Sequence, residues 1–219
     1  MKYQLKGEFL QCLEITLEPG ERCFAKRGSL VCMDSGITQS VRMNGRSVTG
    51  VLGAKLSGES LFLVEYVNTS RTAGSIVLSA GQSTIAALSL TEGHKLVVRR
   101  SDYISSSDSV DLNLHLSFNK MVKGTVPAFQ LIRGNATVFV SYQGNLIKKE
   151  LQEGEEITVD EGCIKMLYDI PDKQIRWQKR FNILRNIFTG EGLLLTRIVG
   201  PGTAYLSSVP YRDKTRHQL

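Results

Sequence analysis

Three stretches of the chain align without a gap: "LEPGERCFAKRGSLVCM" at residues 17–33, "LTEGHKLVVRRSDYISS" at 90–106 and "LQEGEEITVDEGCIKML" at 151–167. An internal repeat constrains architecture more than composition does, because a unit that recurs must fold alike each time and find the same kind of neighbour. Leu17, Leu90 and Leu151 head the copies, and Gly20, Gly93 and Gly154 follow three residues later. Cys23, Leu96 and Ile157 then share one apolar position, and Leu30, Tyr103 and Ile164 another. Each copy reads as strand, turn, strand, turn, strand. The first break ("EPG", "TEG", "QEG") puts glycine where a tight turn asks for φ > 0. The second ("KRG", "RRS", "DEG") separates two β-prone runs and holds Gly28 in the first copy.

A second block follows each first: "GESLFLVEYVNTSRTAGSIVLS" from Gly58, "PAFQLIRGNATVFVS" from Pro127 and "GEGLLLTRIVGPGTAYLS" from Gly190. It reads as a hairpin, with glycines at Gly190, Gly192, Gly200 and Gly202 in the third copy. From leading Leu to closing Ser the distances are 62, 51 and 56 residues, so the blocks keep one order throughout. A sheet unit of this size cannot bury its apolar face alone. The expectation is an all-β chain in one compact domain over 1–219, three units closing about a pseudo-threefold axis. The units span about 3–82, 83–144 and 145–209, followed by a polar tail at 210–219.

One segment departs from the β pattern. "DKQIRWQKRFNILRNIF", Asp172 to Phe188, spaces Trp177, Phe181, Leu184 and Phe188 at intervals of four, three and four, which predicts a short amphipathic helix near 173–188. Ser117–Pro127 is its shorter counterpart in the second unit, and the glycine-rich Thr38–Ser60 stands there in the first as an irregular stretch.

No apolar h-region occupies Met1 to Ile15, and no stretch approaches the roughly 18 apolar residues of a membrane span, so a cytoplasmic chain is expected. Cys12, Cys23, Cys32 and Cys163 form no CxxC pair and read as reduced and structural. The sequons at Asn68 and Asn135 read as chance matches. A net charge of +6 permits anionic partners but says nothing about fold.

The combination of "LEPGERCFAKRGSLVCM", "GESLFLVEY", "SVDLNL", "QGNLIKKELQEGEEITVDEG" and "GEGLLLTRIVGPGTAYLSS" resembles the AIM24 family from Tyr3 to Val209. The resemblance implies three β-sandwich repeats similar to the subunit of the tryptophan RNA-binding attenuation protein (a TRAP-like fold). It implies no particular reaction. Where the family commonly has a Gly-x-Gly turn in the second unit, this chain has Gly134-Asn135-Ala136.

Catalysis needs convergent groups, and the supply here is poor. The three histidines, His94, His115 and His217, stand apart without an HxH or HExxH pattern. The carboxylates of Glu153, Glu155, Glu156, Asp160 and Glu161 fall in turns and strand ends, and no phosphate-loop or dinucleotide fingerprint occurs. The expectation is a non-enzymatic chain with no catalytic residues, metal or cofactor, and no small-molecule substrate. The best candidate for partner binding is the acid-free run of Lys173, Arg176, Trp177, Lys179, Arg180 and Arg185. Lys26, Arg27, Arg99 and Arg100 make two basic corners at equivalent positions of the first two units, where the third has Asp160 and Glu161. Three readings follow: a scaffold or assembly protein working through protein partners or self-association, a nucleic-acid binder, and a peripheral binder of anionic membrane.

Overall fold

The computed structural model describes residues 1–43, 46–47, 62–114, 129–179 and 194–211. Over these residues the chain is all-β, with several antiparallel sheets. After β1 (Lys2–Lys6) come β2 (Cys12–Leu17), β3 (Arg22–Lys26), β4 (Leu30–Met33), β5 (Ile37–Met43), the two-residue β6 (Arg46–Ser47), β7 (Phe62–Asn68) and β8 (Gly74–Ser79). The second stretch runs β9 (Thr84–Leu90), β10 (Leu96–Arg99), β11 (Tyr103–Ser106), β12 (Asp111–Leu114), β13 (Phe129–Arg133) and β14 (Ala136–Tyr142). The third runs β15 (Leu146–Leu151), β16 (Glu156–Asp160), β17 (Ile164–Tyr168), β18 (Ile175–Lys179), β19 (Leu194–Val199) and β20 (Gly202–Ser207). No helix among the described residues is long and apolar enough to cross a membrane.

The aligned sequence blocks have matching local geometry. Gly20, Gly93 and Gly154 take φ of +81°, +86° and +81°, each third in a four-residue turn. The turns close by Glu21 N–H to Glu18 O, His94 N–H to Thr91 O and Glu155 N–H to Gln152 O at 2.9–3.2 Å. A bulge falls in each third strand at one aligned position: between Leu30 and Cys32, Tyr103 and Ser105, Ile164 and Met166.

Strand pairing follows one scheme in each stretch. β2 and β4 flank β8, β9 and β11 flank β14, and β15 and β17 flank β20. In the other layer β3 and β5 flank β7, β10 and β12 flank β13, and β16 and β18 flank β19. Two further pairings join neighbouring stretches: β3 with β11, and β10 with β17. The result is four sheets in series, ordered β1-β2-β8-β4, then β6-β5-β7-β3-β11-β14-β9, then β12-β13-β10-β17-β20-β15, then β16-β19-β18.

Three apolar cores fill the spaces between successive sheets. Leu13, Ile15, Ile76 and Leu78 of the first sheet meet Cys23, Tyr66, Ile104 and Phe139 of the second. Phe24, Leu63, Leu90 and Val138 of the second meet Leu96, Val98, Ile132 and Met166 of the third. Val97, Phe129, Ile164 and Leu167 of the third meet Val159, Ile175 and Ile198 of the fourth. The alternation of apolar residues in the second and third sheets thus serves two adjacent cores at once, as with Cys23 and Phe24 of β3 or Val97 and Val98 of β10, because each of these sheets buries both of its sides.

Three expectations need correction. The downstream blocks are not hairpins: β7 and β8 lie in different sheets, as do β13 and β14, and β19 and β20. Their tight turns carry the chain across the sandwich, a route that strand periodicity cannot distinguish from a hairpin. The predicted helix is not formed over 175–179. A single 3₁₀ turn at Asp172–Gln174 leads into β18, which pairs with β19 from Ile175↔Ile198 to Lys179↔Leu194. Ile175 and Ile198 are both buried, so the ladder and core contact outweigh the helical spacing, as tertiary context does over local propensity. Residues 180–188 of that prediction lie outside the described residues. Finally, Thr38–Met43 is regular strand rather than irregular, paired along β7.

Two measurements check this packing. A Cβ on Gly200 would sit 2.7 Å from the Leu151 carbonyl oxygen and against that of Gln152, both backbone atoms that cannot swing aside. Gly200→Ala is expected to lower the urea midpoint by the equivalent of about 1–3 kcal/mol, the usual cost of overpacking, and by more than Gly154→Ala, which meets only the strain of a positive φ. Burial also pushes the Cys23 thiol up to about 12 from an ordinary 9. The folded chain keeps a proton there that the unfolded chain releases. The stability this proton confers is complete below about pH 9 and lost as pH rises toward 12. Cys23→Ala should therefore make the alkaline fall in stability shallower, read by thermal melts across that window; Tyr103, also shifted upward by burial, keeps its share.

Candidate functional site

Three kinds of polar feature compete for attention: the basic corners, the basic and aromatic run, and the exposed sheet edges. Of the basic corners, Lys26 and Arg99 prove to be internal joints, while Arg27 is exposed and Arg100 half-buried. Lys26, at the end of β3, donates from Nζ to the Ser101 carbonyl at 2.9 Å. Arg99, at the aligned end of β10, donates from Nη2 to the carbonyls of Glu161, Gly162 and Ile164 at 3.1, 3.3 and 3.0 Å. Ser101 and Gly162 occupy the same place in consecutive copies, so each cation clamps the turn of the stretch that follows it.

Arg99 is 1% exposed. Its guanidinium lies over the rings of Phe129 and Tyr211 at 5.2 and 4.5 Å, and Nε stands 3.9 Å from Asp102 Oδ2. Asp102 in turn accepts from Lys165 Nζ at 3.2 Å, and both residues are buried. Burial pulls the affinity of Arg99 for its proton below the ordinary guanidinium value, and Asp102 opposes that pull; Lys26 is lowered for the same reason. The charges hold each other in place and are not offered to a ligand.

A second buried carboxylate, Glu65 on β7, was not singled out from the sequence. It accepts from Arg42 Nε at 2.7 Å and Ser40 Oγ at 3.1 Å, and pairs with Arg22 at 3.3 Å. In the third stretch the Arg22–Glu65 pair recurs with its charges exchanged, as Glu156 with Arg197. These ion pairs bridge paired strands. Asn68, the first sequon, is fully buried and bonds Leu17 O and Thr72 O at 2.7 and 2.8 Å, which accounts for it structurally.

Of the basic and aromatic run, Lys173 lies exposed in the 3₁₀ turn and Arg176 exposed on β18, while Trp177 and Lys179 belong to the same strand. Arg180 and Arg185 lie outside the described residues, as do Gly190, Gly192, His115 and His217. Successive strand residues alternate between faces, so the single stripe behind the membrane reading is not available over 175–179. Arg176 is instead opposite Arg197 across the β18–β19 ladder. His94 pairs through Nδ1 with Asp169 and stacks on Tyr168. Among the described residues no group of three or more His, Cys, Asp or Glu could hold a metal ion.

The edges differ from all of these. Among the described residues β4 pairs with β8 on one side only, and β16 with β19 on one side only. In β11 and β17 all four aligned residues are buried, whereas in β4 Leu30, Val31 and Cys32 are exposed, Val31 by 59%. An apolar strand with a free ladder edge is a template for another strand.

The chain belongs to the AIM24 family: the family model described as mitochondrial biogenesis AIM24 matches residues 3–209. A crystal structure of a protein from Streptococcus pyogenes has the same fold, with a TM-score of 0.69 and 20% identity over 95% of this chain and 94% of that one. No curated protein matches the chain.

The buried cluster makes a prediction. Asp102→Ala leaves Lys165 and Arg99 without their carboxylate in a dry joint, and should cost about 3–5 kcal/mol in urea unfolding. Asp102→Leu combined with Lys165→Met, which removes both charges, should be less destabilised than Asp102→Ala. If the double variant is the weaker of the two, the pair is not the electrostatic unit described.

Proposed function

We propose that this member of the AIM24 family works by binding protein, as a scaffold or assembly component and not as an enzyme, and that the edge of β4 is its working surface. The observation that carries this reading is the exposure of Leu30, Val31 and Cys32 on a strand whose four aligned positions in β11 and β17 are all buried. Burying a Val or Leu side chain is worth about 1.5–3 kcal/mol, so an edge of this composition stabilises a complex when a second strand covers it. The ladder would supply affinity through backbone hydrogen bonds, and alternate side chains would supply selectivity, the usual division in strand addition. In this reading the three stretches are TRAP-like sandwich repeats that follow one another in series, and β4 is the exposed end of that series.

The test is comparison of the wild-type chain with Val31→Asp. Val31 is exposed in the isolated chain, so the variant should fold with stability within about 0.5 kcal/mol of wild type. Crosslinking in the native cell followed by affinity capture should recover a partner with the wild type that is lost with Val31→Asp. Equal recovery by both would remove β4 from the reading. Retention of partners by Val31→Asp together with their loss on Arg176→Glu would move the surface to the basic strand β18.

A further inference from the structure

We propose that the partner of β4 is a second copy of this chain: β4 of one molecule pairs antiparallel with β16 of another, Cys32 opposite Val159, so that copies join head to tail. The inference rests on the reading of β4 as the working surface and names what covers it.

The four sheets supply the first argument. The third sheet is β12-β13-β10-β17-β20-β15, and the second contains the same order with extra strands. Each is two half-sheets joined in the middle, β13 to β10 to β17 to β20 in one and β7 to β3 to β11 to β14 in the other. The first and last sheets are such halves alone. The first ends at β4, which stands where β11 and β17 stand, and the last ends at β16, which stands where β3 and β10 stand. Laid edge to edge they complete a third sheet of the same order, β18-β19-β16-β4-β8-β2. Among the described residues β4 and β16 of one molecule are not paired with each other, and the complement is assigned to another molecule.

Register supplies the second. Across the first joint Ala25 is opposite Ser105 and Phe24 opposite Ser106. Across the second Val98 is opposite Met166 and Val97 opposite Leu167. By the gapless alignment these are the same pairs of positions. Carried to the open ends, they put Val159 opposite Cys32 and Thr158 opposite Met33.

Burial and charge point the same way. Both internal joints bury the four residues of their third strands that align with β4, whereas Leu30, Val31 and Cys32 of β4 are exposed. On the facing edge Thr158 and Glu156 of β16 are exposed, while the aligned Val97 of β10 is buried. At each internal joint a cation, Lys26 or Arg99, reaches the following turn. At the open end that position is Asp160, whose Oδ1 accepts from Gly162 N–H at 2.7 Å, and the turn it would approach carries exposed Arg27 at its tip. The third joint exchanges a cation on a carbonyl for an acid beside a base, which favours joining this end to that turn. Like and unlike ends of this kind make heterologous contacts, which close into rings or extend as filaments.

The experiment uses the full chain. Light scattering across a concentration series should give the wild type a mass above one chain, and Val31→Asp should lower the association at least tenfold. Val159→Cys, with its native Cys32, should form chain-to-chain disulfides on mild diamide oxidation, since facing positions of a ladder lie within disulfide reach. Thr158→Cys, which faces away by one residue, and Val159→Cys with Cys32→Ser should not. A wild type of single-chain mass at every concentration, without the Val159→Cys link, overturns the proposal. If a different protein is then still captured through β4, the reading of β4 as a binding edge stands and only its self-association falls.

Discussion

The structure depends on the ladder between the second strand of one stretch and the third strand of the next. That ladder is what turns separate half-sheets into continuous sheets, and continuous sheets into walls shared by neighbouring cores. Without the pairing of β10 with β17, Leu96 and Val98 would still face inward, but Met166 could not reach the same core as Leu90 and Val138. The cations at the ends of β3 and β10 act at the same place. Arg99 satisfies the carbonyls of Glu161 and Ile164, which are buried beside the joint, and a buried acceptor without a donor is expensive; Lys26 holds the exposed Ser101 carbonyl at the aligned place. Ladder and clamp are thus two parts of one connection, repeated with the same register.

This explains why so much charge lies inside. Arg99, Asp102, Lys165 and Glu65 are all buried, although charged residues are seldom fully buried unless paired. Three of them sit where one stretch meets the next, with a partner on the other side. Their value lies in fixing which strands meet, since a slip of one residue would separate Asp102 from Lys165 while turning every apolar side chain to the wrong face. The exchanged pair, Arg22 with Glu65 and Glu156 with Arg197, shows the same geometry tolerating either polarity so long as the two charges differ.

What was legible in the sequence was whatever depends on a few neighbouring residues. The turns at Gly20, Gly93 and Gly154 could be read because only local backbone geometry places glycine there, and the alignment around them extended correctly to the bulges. The choice of partner strand could not be read. β19 followed by β20 looks like a hairpin because alternation and a glycine turn are all that a hairpin requires, and nothing local says that the turn crosses between layers. The helical spacing that begins at Trp177 does not hold over Ile175 to Lys179 for a related reason: that stretch is short enough to fit either period, and β19 decided the matter. The Lys26 and Arg99 positions were recognised as equivalent, but charge alone suggested surface. Burial of an arginine is a property of what lies opposite, and the carbonyls of Glu161, Gly162 and Ile164 are more than sixty residues away.

A molecule whose two ends are unlike has a direction, and direction has a genetic consequence. A copy altered at Val31 keeps an intact β16, so it can still join a neighbour through that edge and then offer nothing to the next. It would terminate an assembly made mostly of normal copies. A copy damaged in a core, at Ile164 or Phe139, would fail to fold and simply be missing. In the head-to-tail assembly proposed above, lesions of the first kind would be dominant over the normal allele and lesions of the second recessive.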